Sequence, residues 1–113
     1  MALNGEAYHF EPEFERAIVT KTCTSQDFFG LVGQALDPQL LSGEIPTLAI
    51  EAAQAIARET GSGPAQGFMV IQRLKRWMHD GKVTWDQIRA VNDYIDAGED
   101  RGLPDSEQLV NEL

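Results

Sequence analysis

The stretch GFMVIQRLKRWMH (67–79) carries the clearest periodic pattern in this 113-residue chain. Its small and apolar residues recur every three or four positions, a spacing that places them on one side of an α-helix. They are Gly67, Val70, Ile71, Leu74, Trp77 and Met78. The pattern predicts a helix that buries this side and ends by Gly81.

A second helix is predicted after a short connection. Thr84 and Gln87 have the spacing of a capping box, in which each side chain bonds the backbone amide of the other residue. The buried stripe then continues through Ile88, Val91 and Ile95. Two helices joined by so short a loop pack antiparallel, so residues 66–100 are predicted to form a protruding helical hairpin.

The remainder of the chain also shows helical signals. Residues 10–61 contain three helix starts, at Glu11-Pro12, Ser25 and Pro46, and Gly61 is predicted to close the third helix. The segment 61–64 is interpreted as a seam, and residues 103–113 as the start of a further helix or a linker. No alternating strand pattern of useful length occurs. The predicted fold is therefore all-α with about six helices, an N-terminal bundle followed by an antiparallel hairpin, in one domain spanning 1–113.

Composition and charge limit the possible partners. Apolar residues make up 42% and charged residues 24% of the chain, as in ordinary soluble domains. No apolar run approaches the roughly 18 residues of a membrane span, and Met1–Phe10 lacks the features of an export signal, so a cytoplasmic protein is expected. The net charge of −9 repels polyanions. Direct binding of nucleic acid or of a membrane is therefore not expected.

No residues have the spacing of a catalytic or cofactor-binding centre. Neither His9, in the N-terminal tail, nor His79, in the last turn of a helix, has a serine or cysteine placed for activation. The single cysteine, Cys23, is predicted to be a buried thiol. The acidic pair Glu13 and Glu15 is predicted to lie on a solvated face. No catalytic residue, cofactor or metal site is predicted, and the segment is not expected to be an enzyme.

Three motif-based interpretations have weak support in the sequence. The segment 61–64 lacks the Gly-Lys-Ser/Thr ending of a phosphate loop. Residues 96–107 match a calcium loop at three positions but have Arg101 where a turn glycine is needed. In a helix-turn-helix, the helix after Thr84 would carry five acidic residues into a groove walled by phosphates. Binding of a nucleotide, calcium or DNA through these motifs is therefore not expected.

Two sets of residues are predicted to contact other proteins. Trp85 and Tyr94 lie on the flanks of the predicted second hairpin helix and need not be covered, and Arg89 lies between them. These three side chains are predicted to form one partner surface. Ala49, Ala52 and Ala53 form a narrow face that would suit close contact with another helix. Core packing is the alternative interpretation for the aromatic side chains.

The first half of the chain resembles the N-terminal domain of DnaB-type replicative DNA helicases. The resemblance lies in EFERAIV (13–19), DFF (27–29), LDPQLL (36–41) and the GSGP (61–64) that follows the third helix. The segment VIQRL (70–74) and the hairpin after it resemble phage-type members of the family. The resemblance covers about residues 10–100. One departure is that EIP (44–46) stands where the family usually has a histidine.

This resemblance implies a non-catalytic domain that assembles as an oligomeric collar and docks a primase or a helicase loader. It implies partners that include a second copy of the chain, and no catalytic residues carry over. If it holds, the reading frame should continue beyond Leu113 into a strand and a Gly-Lys-Ser/Thr loop. The alternative is a stand-alone acidic regulator that occupies a basic surface on a nucleic-acid-binding protein. A third, weaker hypothesis is a small α-helical enzyme.

Overall fold

The computed structural model describes residues 11–112, which form six α-helices and no β-strand. The helices are α1 (Pro12–Thr24), α2 (Gln26–Leu31), α3 (Glu44–Thr60), α4 (Gly67–His79), α5 (Trp85–Asp100) and α6 (Ser106–Glu112). Two 3₁₀ turns, Gly33–Ala35 and Pro38–Leu40, connect α2 to α3. The predicted all-α class is confirmed. Predictions concerning Met1–Phe10, His9 among them, and Leu113 lie outside the described residues.

Local sequence signals set several helix ends. The Thr84 hydroxyl accepts a bond from the Gln87 amide at 3.2 Å, and the Gln87 side chain accepts one from the Thr84 amide at 2.8 Å. The predicted capping box is therefore confirmed. Gly61 ends α3 in the left-handed region with φ +90°, as predicted. Helix α3 begins at Glu44, before the predicted start at Pro46. Pro46 fits inside the first turn because the amides of that turn need no partner within the helix, so a residue without an N–H is tolerated there.

Helices α1, α3, α4 and α5 share one apolar core. Helix α5 packs against α1 and α3 as well as against α4. The fully buried residues of these helices include Ile18, Ile50, Val70, Leu74 and Val91. The prediction that the hairpin protrudes is therefore wrong. A pair of amphipathic helices must cover its apolar stripes, and here α1 and α3 cover them.

The segment between α3 and α4 is packed against the bundle. Gly63 and Pro64 are buried, and the Gln26 side-chain amide donates a hydrogen bond to the Gly63 carbonyl at 3.2 Å. The Phe29 ring lies where a Cβ on residue 63 would stand, with its Cδ1 atom 2.6 Å from that position. The interpretation of 61–64 as a seam is corrected accordingly, since this segment helps to close a common core.

Glu15 is another correction, because the structure buries the carboxylate that was predicted to be solvated. Its side chain is only 3% exposed and accepts two hydrogen bonds from Ser42, one from the backbone amide and one from the hydroxyl. Glu13, one half-turn earlier, is exposed as predicted. Glu15 thus ties α1 to the loop that precedes α3.

The buried thiol of Cys23 predicts a loss of stability in alkali. Burial raises the pKa of Cys23 from 9.0 to about 12, and the thiol contacts the Ala49 carbonyl at 3.8 Å. In the unfolded chain the thiol ionises first, so its contribution to stability is complete below pH 9 and is lost as the pH rises towards 12. Urea unfolding across this range should show a steeper decline for the unmodified chain than for Cys23→Ala. Parallel declines would contradict the assignment.

Candidate interaction surface

Trp85 is half exposed at the first turn of α5. The capping box at Thr84 fixes this turn, and 50% of the Trp85 surface remains open to solvent. The Lys75 ammonium of α4 lies 5.9 Å from the centre of the Trp85 ring, a cation–π contact between the two helices. Arg89, one turn later on the same side, binds Asp86 at 2.9 Å. Trp85 and Arg89 therefore share a surface, as predicted.

Tyr94 lies on a different surface. It follows Trp85 by nine residues, which at 3.6 residues per turn places it about 180° away around α5. Arg16 of α1 covers its ring, with the guanidinium carbon 4.6 Å from the ring centre. Burial, followed by the nearby charge of Glu15, raises the pKa of Tyr94 above its usual value. The prediction that Tyr94 joins Trp85 and Arg89 in one surface is therefore wrong.

The small-residue face of α3 is not available to a partner. Ala49, Ala52 and Ala53 have no exposed surface. They form part of the apolar core that α3 shares with α1, α4 and α5. The close helix approach that these alanines permit is used inside the chain, which contradicts the prediction that they contact a second molecule.

Phe68 is an exposed aromatic that the sequence analysis did not select. It stands at the second position of α4 and is 56% exposed. One side of Phe68 lines a cleft with Asn92 and Asp96 of α5, and the other lines a cleft with Ile56 of α3. The sequence does contain a signal for this exposure. Phe68 lies off the apolar stripe of residues 67, 70, 71 and 74, so it faces away from the core.

The basic residues of α4 divide between two neighbours. Arg73 and Arg76 both bind Glu59 of α3, the second of them at 3.3 Å, whereas Lys75 points towards Trp85. The hydrogen bond and charge of Arg73 lower the pKa of Glu59. The positive charge of this turn of α4 is thus partly neutralised, and Lys75 is the cation left on the side of α5.

These observations define what is called here the α4–α5 face, the solvent-facing side of the two helices. Its residues are Phe68, Gln72, Lys75, Arg76 and His79 of α4 with Trp85, Arg89, Asn92, Asp93 and Asp96 of α5. All ten residues are exposed. Two large aromatic rings among charged groups can supply contact area and orientation for a protein partner.

The described residues were also compared with the chemistry of other site classes. Within residues 11–112, no three His, Cys, Asp or Glu side chains stand together as metal ligands would. Asp96 and Asp100 lie within α5, so the segment that resembled a calcium loop begins as helix. No helix in this part of the chain has the length and apolar character needed to cross a membrane.

Comparisons with protein-family models, with curated proteins and with solved structures found no match to this chain. The structure itself defines the class of this chain, an all-α fold with an exposed aromatic and charged face.

Proposed function

We propose that this chain is a non-catalytic assembly and docking domain of a replicative DNA helicase. In this role it contributes to an oligomeric collar and binds a primase or a helicase loader. The resemblance over residues 10–100 supports the class of parent protein. The all-helical architecture is compatible with it, and the α4–α5 face supplies a surface for contact with another protein.

The observation that carries the proposal is the exposure of two aromatic side chains on one face. Phe68 and Trp85 leave half or more of their surface in water, although the same two helices bury a continuous apolar stripe. Exposed aromatics of this size are enriched at protein–protein contacts, where they supply much of the binding energy. Contact with a partner would bury these two rings, which the core of the chain leaves exposed.

The test is binding by a double variant of the face. The unmodified chain is expected to self-associate or to bind the primase or loader of its own replication system. Phe68→Ser/Trp85→Ala should weaken that binding at least about tenfold, because aromatic anchors at an interface are worth 2 kcal/mol or more. Analytical ultracentrifugation and isothermal titration calorimetry would measure the effect, with circular dichroism to verify that helicity is retained.

Leu31→Ser is the matched control for this experiment. Leu31 is 66% exposed on α2, outside the α4–α5 face, so its replacement removes exposed apolar surface elsewhere. It should leave binding unchanged. A chain that remains monomeric and binds neither primase nor loader would overturn the proposed function, as would equal effects of the two variants.

The acidic side of α5 favours a second candidate function. Asp86, Asp93, Asp96 and Asp100 are all exposed on this helix. A stand-alone regulator could use them to occupy the basic surface of a nucleic-acid-binding protein. Such binding should weaken steeply with added salt and should survive Phe68→Ser/Trp85→Ala. Docking through the aromatic rings should instead depend weakly on salt and should be lost in that double variant.

A further inference from the structure

A cleft of about 280 Å³ lies between the N-terminal half of α1 and the segment that runs from the end of α5 into α6. Its apolar walls are Phe14, Ala17, Leu103, Pro104 and Leu109, and it is called here the α1–α6 cleft. An apolar cavity of roughly 150 Å³ is enough to hold one benzene ring. The α1–α6 cleft therefore has room for an aromatic ring with a short side chain.

Two arginines and one glutamate line the same cleft. Arg101 binds the Glu13 carboxylate at 2.8 Å, in an ion pair that leaves both side chains more than half exposed. The guanidinium carbon of Arg16 lies 4.6 Å from the centre of the Tyr94 ring, and Arg16 belongs to none of the ion pairs formed among residues 11–112. The lining thus carries a net positive charge, although the chain as a whole has a net charge of −9.

The contact between Arg101 and Glu13 indicates which chemical group the cleft can receive. A guanidinium donates two parallel hydrogen bonds to a carboxylate when the geometry allows it. The pair with Glu13 is open to solvent, so it contributes little to the stability of the fold and costs little to exchange for another anion. A ligand carboxylate can therefore replace that of Glu13 while its carbon skeleton covers Phe14 and Leu109.

We infer that the α1–α6 cleft binds a small amphipathic monocarboxylate. The aromatic or branched body of the ligand lies between the apolar walls, and its carboxylate binds Arg101 in place of Glu13. Binding sites for small molecules combine apolar walls with a few polar groups that fix the orientation of the ligand, and this cleft has both. The cleft shares no residue with the α4–α5 face, so the inference goes beyond the proposed function and does not rest on it.

Charge and polarity select this class of ligand over others. Asp100 and Asp105 flank the segment between α5 and α6 and are exposed, so a second negative charge on the ligand, as on a phosphate, would be repelled. A cationic ligand would meet Arg16 and Arg101. An anion without an apolar part would only exchange one carboxylate for another and would leave Leu103 in water.

Hydrocinnamate, a phenyl ring joined to a carboxylate by a two-carbon chain, is the probe for this site. Saturable binding with a Kd of about 1 mM or tighter is expected for a ligand of this size. In nuclear magnetic resonance spectra of the isotopically labelled chain, the amide signals of Gly102, Leu103 and Leu109 should shift and those of α4 should not. Hydrocinnamyl alcohol lacks the charge and acetate lacks the ring, so each should bind at least about tenfold more weakly.

The two members of the ion pair should have opposite effects on the affinity for hydrocinnamate. Arg101→Gln removes the cation that holds the carboxylate, so binding should weaken at least about tenfold. Glu13→Gln removes the internal carboxylate that competes with the ligand, so binding should tighten about twofold or more. Both variants break the same ion pair. A purely structural role of that pair would therefore change the affinity in the same direction in both.

The matched controls break a comparable ion pair outside the cleft. Arg89 and Asp86 form an exposed pair at 2.9 Å near the start of α5. Arg89→Gln and Asp86→Asn repeat the two changes in net charge and should leave the affinity for hydrocinnamate unchanged. Hydrocinnamate that does not saturate the chain, that binds no better than its alcohol, or that binds Arg101→Gln as tightly as the unmodified chain would overturn the inference. Weaker binding to Glu13→Gln would overturn it as well.

Discussion

Gly98→Ala is expected to lower the free energy of unfolding by about 3 kcal/mol, because it inserts a methyl group where two helices touch. Gly98 of α5 lies against Thr20 of α1, and an added Cβ would stand 2.9 Å from the Cβ of Thr20. Both are backbone-proximal atoms that no rotamer change can move aside. Alanine favours a helix over glycine by about 1 kcal/mol, so any net loss must come from this contact. Urea unfolding followed by circular dichroism would measure it.

Gly30→Ala is the control for Gly98→Ala, because it replaces a helical glycine by alanine without creating a steric contact. Gly30 lies in α2, is exposed and has no atom within 4 Å of a Cβ position, so alanine there should be neutral or slightly stabilising. A destabilisation of Gly30→Ala equal to that of Gly98→Ala would contradict the steric explanation.

Thr20→Ala provides the second half of a double-mutant cycle with Gly98→Ala. The Thr20 hydroxyl is buried and has no hydrogen-bond partner among the described residues, so its removal alone should cost little. In the presence of Gly98→Ala, however, it removes the two side-chain atoms that follow Cβ and relieves part of the overlap. We expect a coupling free energy of about 1 kcal/mol or more, and additive effects would refute the contact.

The helices of this chain could be predicted from local patterns, because each depends on residues close in sequence. The stripe from Gly67 to Met78, the capping box at Thr84 and the left-handed Gly61 all act within a few residues. The position of the hairpin could not be predicted in this way. Its apolar stripe is equally consistent with a protruding pair and with one that closes a core, and only the packing of α1 and α3 decides between them.

The candidate site was predictable in part, and the errors have distinct physical causes. The separation of Trp85 from Tyr94 could have been predicted, because nine residues of spacing place two side chains on opposite sides of an α-helix. The burial of Ala52 could not be foreseen, since a small-residue stripe favours close approach to a helix without specifying which helix. The position of Phe68 off the apolar stripe predicts that it faces away from the core, but its exposed fraction also depends on how far α3 and α5 cover the start of α4.

Glu15→Ala is expected to cost about 3 kcal/mol of stability, an effect comparable to that at Gly98. The carboxylate lies in the interior and accepts bonds from the Ser42 amide at 3.0 Å and the Ser42 hydroxyl at 2.9 Å. Hydrogen bonds to a charged group contribute about 1.5–3 kcal/mol each, and Glu15→Ala removes two of them. The buried Leu41 precedes Ser42, so the loop that enters α3 should loosen as well. Hydrogen exchange of the Ser42 amide, together with urea unfolding, would report both effects.

Glu13→Ala is the matched control, since Glu13 shares the first turn of α1 and therefore the same interaction with the helix dipole. Its partner is Arg101, at 2.8 Å, in an ion pair open to solvent that should contribute less than about 1 kcal/mol. Ser42→Ala removes the hydroxyl but keeps the backbone donor, so it should cost less than Glu15→Ala and add little to it in the double variant. Equal losses from Glu13→Ala and Glu15→Ala would show that the charge of the first turn, and not the buried contact with Ser42, stabilises this part of the fold.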